Sequence, residues 1–204
     1  YPFKLENIKK QLMKEKLLSM CADYWWILIP VILLVFYKQA LRIFGIIIVP
    51  EDKIGLVTKK FVLFGEVRNL PDGKIIATKG ESGFQATTLA PGLYFWKWPW
   101  QYEVLLQEFT IVPQGKLGLI LAKDGAPIPT GSILGRSVDC DSFQNAEMFL
   151  KNNGMKGRQS SYITAGSYRI NTFLFEVLIV PMTIIDESMV GIVTTLDGEP
   201  LEEG

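Results

Sequence analysis

IVPEDKIGLVTKK (48–60) returns as IVPQGKLGLILAK (111–123), and more faintly as IIDESMVGIVTTL (184–196). A second element repeats as well: GFQATTLAPGLYF (83–95) matches GRQSSYITAGSYRI (157–170). Gly83/Gly157, Gln85/Gln159, Gly92/Gly166 and Tyr94/Tyr168 share a spacing of 74 residues, while Glu103/Glu176 and Val104/Val177 stand 73 apart. Gly118 and Gly191 are also 73 apart. Two gaps reconcile these matches, the offset between copies passing from 63 over the first element to 74 and then to 73, so the chain reads as two copies of one module, 48–110 and 111–183. Residues 184–204 then start a further module, and the sequence reads as breaking off inside it.

Within a module the physics is legible. KIGLV alternates little, which predicts a strand buried on both faces or set between neighbours. Pro91-Gly92 suits a type II turn with glycine supplying positive φ, and Ala165-Gly166 keeps the glycine in the second copy. Gly92 and Gly166 are therefore expected to be structural turns. Asp72-Gly73, Asp124-Gly125 and Asp197-Gly198 predict hairpin-like connections. Outside the N-terminal region one helix is expected, capped by Asp141 or Ser142, carrying Phe143, Ala146, Phe149 and Leu150, and stopped at Gly154.

Ahead of the repeats, Leu17 to Tyr37 reads LLSMCADYWWILIPVILLVFY, with Asp23 its sole charge. At 1.5 Å per helical residue the run reaches roughly 30 Å, the thickness of a bilayer core. Trp25, Trp26 and Tyr37 near its ends suit interfacial anchoring. The expectation is a transmembrane helix within a segment 17–47. A buried core helix or an interfacial helix is the plainer alternative, because Asp23 shortens the uncharged run to Tyr24–Tyr37. Residues 1–16 carry Phe3, Leu5, Ile8 and Leu12 among Lys4, Lys9, Lys10, Lys14 and Lys16, a pattern equally suited to an amphipathic segment on headgroups and to a solvated leader. Five lysines before the span face five basic residues after it, so the positive-inside rule gives no orientation.

Composition removes several function classes. Hydrophobic residues make up 49% of 204, and mean hydropathy is +0.22, high for a soluble globule. Twenty-one Lys and Arg balance 21 Asp and Glu, which gives no electrostatic reason to expect nucleic acid. Histidine is absent, which excludes a Ser-His-Asp triad and histidine metal sites. Cys21 and Cys140 cannot build a disulfide framework. No GxSxG, SxxK or Walker lysine stands out. Asp139 and Asp141 read as helix-capping residues rather than metal ligands, and Cys140 as a packing residue. The sequence supports no catalytic role, no cofactor and no metal.

The N-terminal apolar segment, IVPEDKIGLV, the Gly-x-Gln-x-x-x-Leu-x-Pro-Gly-x-Tyr run at 83–94 and CDSFQNAEMFLKNNGMKGRQ (140–159) together resemble the SPFH or band 7 family (stomatin, prohibitin, flotillin, HflK/HflC). The last stretch is most similar to the bacterial flotillin-like branch. The resemblance covers roughly residues 25–204 and departs from the family in lacking its long coiled coil. It implies an α+β protein with an N-terminal transmembrane helix followed by tandem small β-rich modules and a short helix. It further implies a membrane-anchored homo-oligomeric scaffold, a large ring or cage in the cell membrane that organises a microdomain. Such a scaffold holds partners such as a membrane protease, with the large domain on the cytoplasmic side. The alternative is a membrane-anchored periplasmic adaptor of a secretion or efflux system.

LYFWKWPWQYEV (93–104) is the sharpest remaining feature. Tyr94, Trp96, Trp98, Trp100 and Tyr102 alternate, so an extended chain places all five aromatics on one face. Pro99 favours an edge or loop. The equivalent positions of the second copy, Tyr168, Ile170 and Thr172, carry no tryptophan. Contact of Trp96, Trp98 and Trp100 with the lipid bilayer is the expectation, and packing in a β-core or against an adjacent subunit the alternative.

Overall fold

The computed structural model describes residues 12–16, 19, 26–27, 29–32, 34–63 and 69–194. Helix α1 (Tyr37–Ile43) leads into the first half of the chain. That half comprises β1 (Ile47–Val49), β2 (Lys53–Lys59), β3 (Ile76–Ala77), β4 (Gly83–Leu89), β5 (Gly92–Tyr94) and β6 (Tyr102–Glu108). The second half comprises β7 (Thr110–Val112), β8 (Lys116–Ala122), α2 (Ala146–Lys151), β9 (Gly157–Ile163), β10 (Gly166–Tyr168) and β11 (Phe175–Pro181).

Both halves are built to one plan. β2 is flanked antiparallel by β4 and β6, and β8 by β9 and β11, while β1 pairs with β5 and β7 with β10. The correspondence extends to register. Gly55 opposes Leu89 and Leu106; its counterpart Gly118 opposes Ile163 and Ile179. The β2–β4 ladder slips between Leu56 and Thr58, and the β8–β9 ladder between Leu119 and Leu121, at matching positions. Side-chain bonds repeat too. Gln85 Nε2 donates to the carbonyls of Glu81 and Gly83, and Gln159 Nε2 to those of Met155 and Gly157. Tyr94 Oη donates to Ala90 O at 2.9 Å and Tyr168 Oη to Thr164 O at 3.0 Å.

A glycine at the centre of each middle strand lets a large apolar side chain close over it. A Cβ on Gly118 would stand 2.5 Å from Ile163 Cγ1, and one on Gly55 3.0 Å from Leu89 Cβ. β2 is buried at Ile54, Gly55, Leu56 and Val57, as its unbroken apolar run predicts, whereas β8 alternates and leaves Leu119 and Leu121 exposed. The main core gathers Ile120, Ile163, Phe143, Phe149 and Phe175 from the second half with Ile76 and Ala86 from the first. The three phenylalanines pack edge-on or tilted, with ring centroids 5.0 to 6.1 Å apart. A smaller cluster, Val49, Val57 and Leu89, belongs to the first half.

The two halves meet at a polar joint inside this core. Asn171, fully buried, donates through Nδ2 to the carbonyls of Gln85 and Ala86 on β4. Asp124, also buried, accepts from the N–H groups of Ile75 and Ile76 at 2.7 and 2.8 Å. Phe173 packs on Phe84 with the rings tilted and their centroids 4.3 Å apart. Each buried polar group at the joint is thus tied across it, which fixes one relative placement of the halves.

Several expectations are corrected. Among the described residues the named elements are mostly β-strands with few short helices, and no helix there is long and apolar enough to cross a membrane. The transmembrane helix expected over Leu17–Tyr37 is therefore not found. Part of that stretch (17–18, 20–25, 28 and 33, Trp25 included) lies outside the described residues, as does Asp197-Gly198. The described residues of the stretch, 26–27, 29–32 and 34–35, have helical backbone, and α1 starts at its last residue, Tyr37.

The second helix starts later than expected. Asp141, Ser142 and Phe143 are left-handed, with φ of 55°, 52° and 65°, and Asn145 is the N-cap, accepting from Met148 N at 2.9 Å. Gly92 has φ +148°, strained for an L-residue but far from the roughly +80° of a type II turn, and Gly166 has no positive φ. Both open a strand, opposite Val49 and Val112, rather than closing a turn. Gly73 turns at φ +82°, within a loop and not a hairpin, and the Asp124 side chain serves the joint.

Candidate functional site

The tryptophan-rich segment is a loop, 95–101, between β5 and β6, not the extended strand its alternation suggested. Pro99 starts a turn in which the N–H groups of Gln101 and Tyr102 donate to Trp98 O at 3.0 and 2.7 Å. The loop is pinned from two sides. Lys97 N donates to Gly45 O at 2.9 Å and Lys60 N to Gln101 O at 2.8 Å. A Cβ on Gly45 would sit 3.2 Å from the Trp98 ring, so the chain leaving α1 lies flat against that indole.

This pinning gathers the aromatics into a ledge. Trp98 lies 6.2 Å from Trp96 and 6.5 Å from Trp100, and Trp100 stacks at 5.8 Å on Phe61. The ledge is open: Trp96 is 76% exposed, Trp100 is 50% exposed, and only Trp98 is half-buried. Phe95, Phe44 and Ile43 are exposed large apolar residues of the same loop and of the α1 end. Trp96 takes φ +64°, a left-handed conformation costing an L-residue about 1–2 kcal/mol. A bulky side chain held in that region with its indole in solvent does nothing for the core, and points to a surface role.

The second half shows what the same loop does when covered. Between Tyr168 and β11 the counterpart runs 169–174, and Ile170, Asn171 and Leu174 are fully buried in the joint. The loop that docks the second half onto the first is, in the first half, written in tryptophan and left uncovered.

Beside the ledge, α1 and the β1–β6 region enclose a groove of about 410 Å³. Leu41, Ile47, Val104 and Leu106 line it, and Lys38, Arg42 and Lys97 edge it. The Lys97 ammonium lies 4.6 Å from the centre of the Tyr102 ring, a cation–π contact. Burial, with the charge of Lys59 nearby, holds Lys97 below the ordinary lysine range.

Of the other expected contact residues, Trp26 is exposed on helical backbone and Tyr37 begins α1 and lines the groove with Lys97 and Pro99. Among the described residues no cluster of His, Cys, Asp and Glu could hold a metal. Cys140 is buried, and burial, with Asp139 and Asp141 alongside, raises its thiol above the ordinary range, leaving it a poor nucleophile. Sequence reasoning missed Lys97 and Arg42 as groove cations and Asn171 and Asp124 as joint residues. For Asn171 the available signal was position: it replaces Lys97 in the aligned repeat.

Compared with family models, with curated proteins and with solved structures, the chain finds no match in any of the three.

Proposed function

We propose that this chain is an oligomeric scaffold of the SPFH or flotillin type, working at the cell membrane, with its first module resting on the lipid boundary through the tryptophan ledge. The observation that carries this reading is the tryptophan ledge, exposed at Trp96 and Trp100, on a loop whose counterpart in the other module buries Ile170, Asn171 and Leu174. The second module docks on the first through this loop, and the aromatic version of it left exposed in the first module suits a lipid interface. The quoted SPFH-like motifs add the expectation that copies pack side by side into a ring or cage, defining a patch of membrane and holding partner membrane proteins. The role requires binding surfaces and no reaction chemistry.

The experiment is electron microscopy of the protein reconstituted on lipid vesicles. Rings or cages of many copies lying on the bilayer are expected. Vesicles bare of particles, or compact monomers and dimers only, overturn the reading.

A further inference from the structure

The groove beside the ledge combines two features that one ligand class satisfies together. Its lining is apolar at Leu41, Ile47 and Val104 and cationic at Lys38, Arg42 and Lys97, with no carboxylate among the lining residues. Among the described residues none of these three cations has an ion pair, whereas Lys60 and Lys151 pair with Glu103 and Glu147. Cations without an ion pair, in a lining that is otherwise largely apolar and aromatic, favour a ligand with an anionic head and a hydrocarbon tail. A volume of about 410 Å³ is in the range of small-ligand pockets, large enough for a length of acyl chain and too small for a folded partner. Pro99 belongs both to the groove lining and to the ledge loop, so the groove opens where the indoles stand.

We propose that this groove binds an anionic phospholipid, its phosphate held by Lys38, Arg42 and Lys97 and the start of an acyl chain lying over Leu41, Ile47 and Val104. The inference rests on the membrane reading above and adds a headgroup preference to it. A phosphate also relieves Lys97, whose ammonium burial and Lys59 disfavour.

The test is co-sedimentation of the full chain with neutral phosphatidylcholine vesicles and with vesicles containing a fifth phosphatidylglycerol, at fixed salt. Binding to both, tighter to the anionic ones, is expected. Lys38→Ala with Arg42→Ala, both on the exposed helix, should lower anionic-vesicle affinity roughly thirtyfold and leave neutral-vesicle binding unchanged. Lys116→Ala with Lys156→Ala, in the second half, should change neither by more than about twofold, and circular dichroism checks that each variant folds. Equal binding to both vesicle types, equal loss in the two double variants, or full competition by water-soluble glycerol phosphate overturns the lipid site while leaving the ledge reading in place. Absence of binding to either vesicle type overturns both.

Discussion

Asn171 Nδ2 donates to the carbonyl of Ala86 at 3.0 Å, and this buried bond crosses from one copy of the repeat to the other. The same amide reaches Gln85 O at 3.1 Å, while Asn171 Oδ1 accepts from Phe173 N and fixes the turn that carries Phe173 onto Phe84. Asn171→Leu removes the amide from the buried carbonyl of Ala86 and the part-buried one of Gln85 and should destabilise by about 1–3 kcal/mol. Because the lost bonds lie between the halves, proteolysis near residues 109–113 should accelerate more than global unfolding does. A denaturant midpoint within error of the parent would remove Asn171 from the joint.

Gly118 tests the packing of the middle strand. Adding a methyl there drives it against Ile163 and Val177, so Gly118→Ala should cost about 1–3 kcal/mol by overpacking. The double variant Gly118→Ala/Ile163→Val removes a methyl from the side chain that the new one meets, and should recover part of the loss. Thermal unfolding of the three proteins measures both effects.

How much of this was legible in the sequence depended on the kind of signal. The repeat was, because Gly55/Gly118, Gln85/Gln159 and Tyr94/Tyr168 occupy positions where packing or a side-chain bond admits few substitutes. The tryptophans were recognised, but their alternation implied a strand, whereas Pro99 and the bonds to Trp98 O turn the chain and stacking assembles the ledge instead. Asp124 was read through its neighbour Gly125 as a turn, since local spacing cannot reveal acceptance from Ile75 and Ile76, almost fifty residues away. Apolar length over 17–37 was read as a membrane span, yet length is only a necessary condition, and Asp23 interrupts the run.

Glu81 makes stability depend on acid. Its side chain is buried, which by itself raises a carboxyl pKa. The N–H groups of Glu81 itself, Lys79 and Thr78, with the Lys79 charge, outweigh burial and hold it below the usual 4.5. Lys79 N donates to Glu81 Oε2 at 2.7 Å. A carboxyl depressed in the folded state binds its proton more readily when unfolded, so its stabilisation is complete above 4.5 and disappears as pH falls through the lower folded value. Denaturation midpoints should drop below pH 4.5 in the parent, and Glu81→Gln should start lower at neutral pH and lose that part of the acid slope. An unchanged slope would assign the acid sensitivity to other carboxylates.

The ledge gives the most direct test of surface against core. Trp96 and Trp100 are at least half exposed, so replacing either by Ser should change stability by under about 1 kcal/mol, and Trp96→Gly should stabilise slightly by relieving φ +64°. Trp98 is half-buried against Gly45, stacks on Trp100 and meets Trp96 edge-on, so Trp98→Ser should cost more, approaching about 3 kcal/mol. Lipid contact separates from packing in a background of Trp25→Phe and Trp26→Phe, where the remaining tryptophan fluorescence comes from the ledge alone. On vesicles carrying brominated acyl chains, quenching should be strong and should fall in the order Trp96, Trp100, Trp98 as single-tryptophan variants are compared, following their exposure. A ledge that packs against another protein surface predicts the reverse pattern: little quenching at any position, and a blue-shifted emission that depends on protein concentration rather than on lipid. Quenching that ignores the order of exposure would mean that the loop reorganises on the membrane, and the rigid pinning by Gly45 and Lys60 would then describe the unbound protein only.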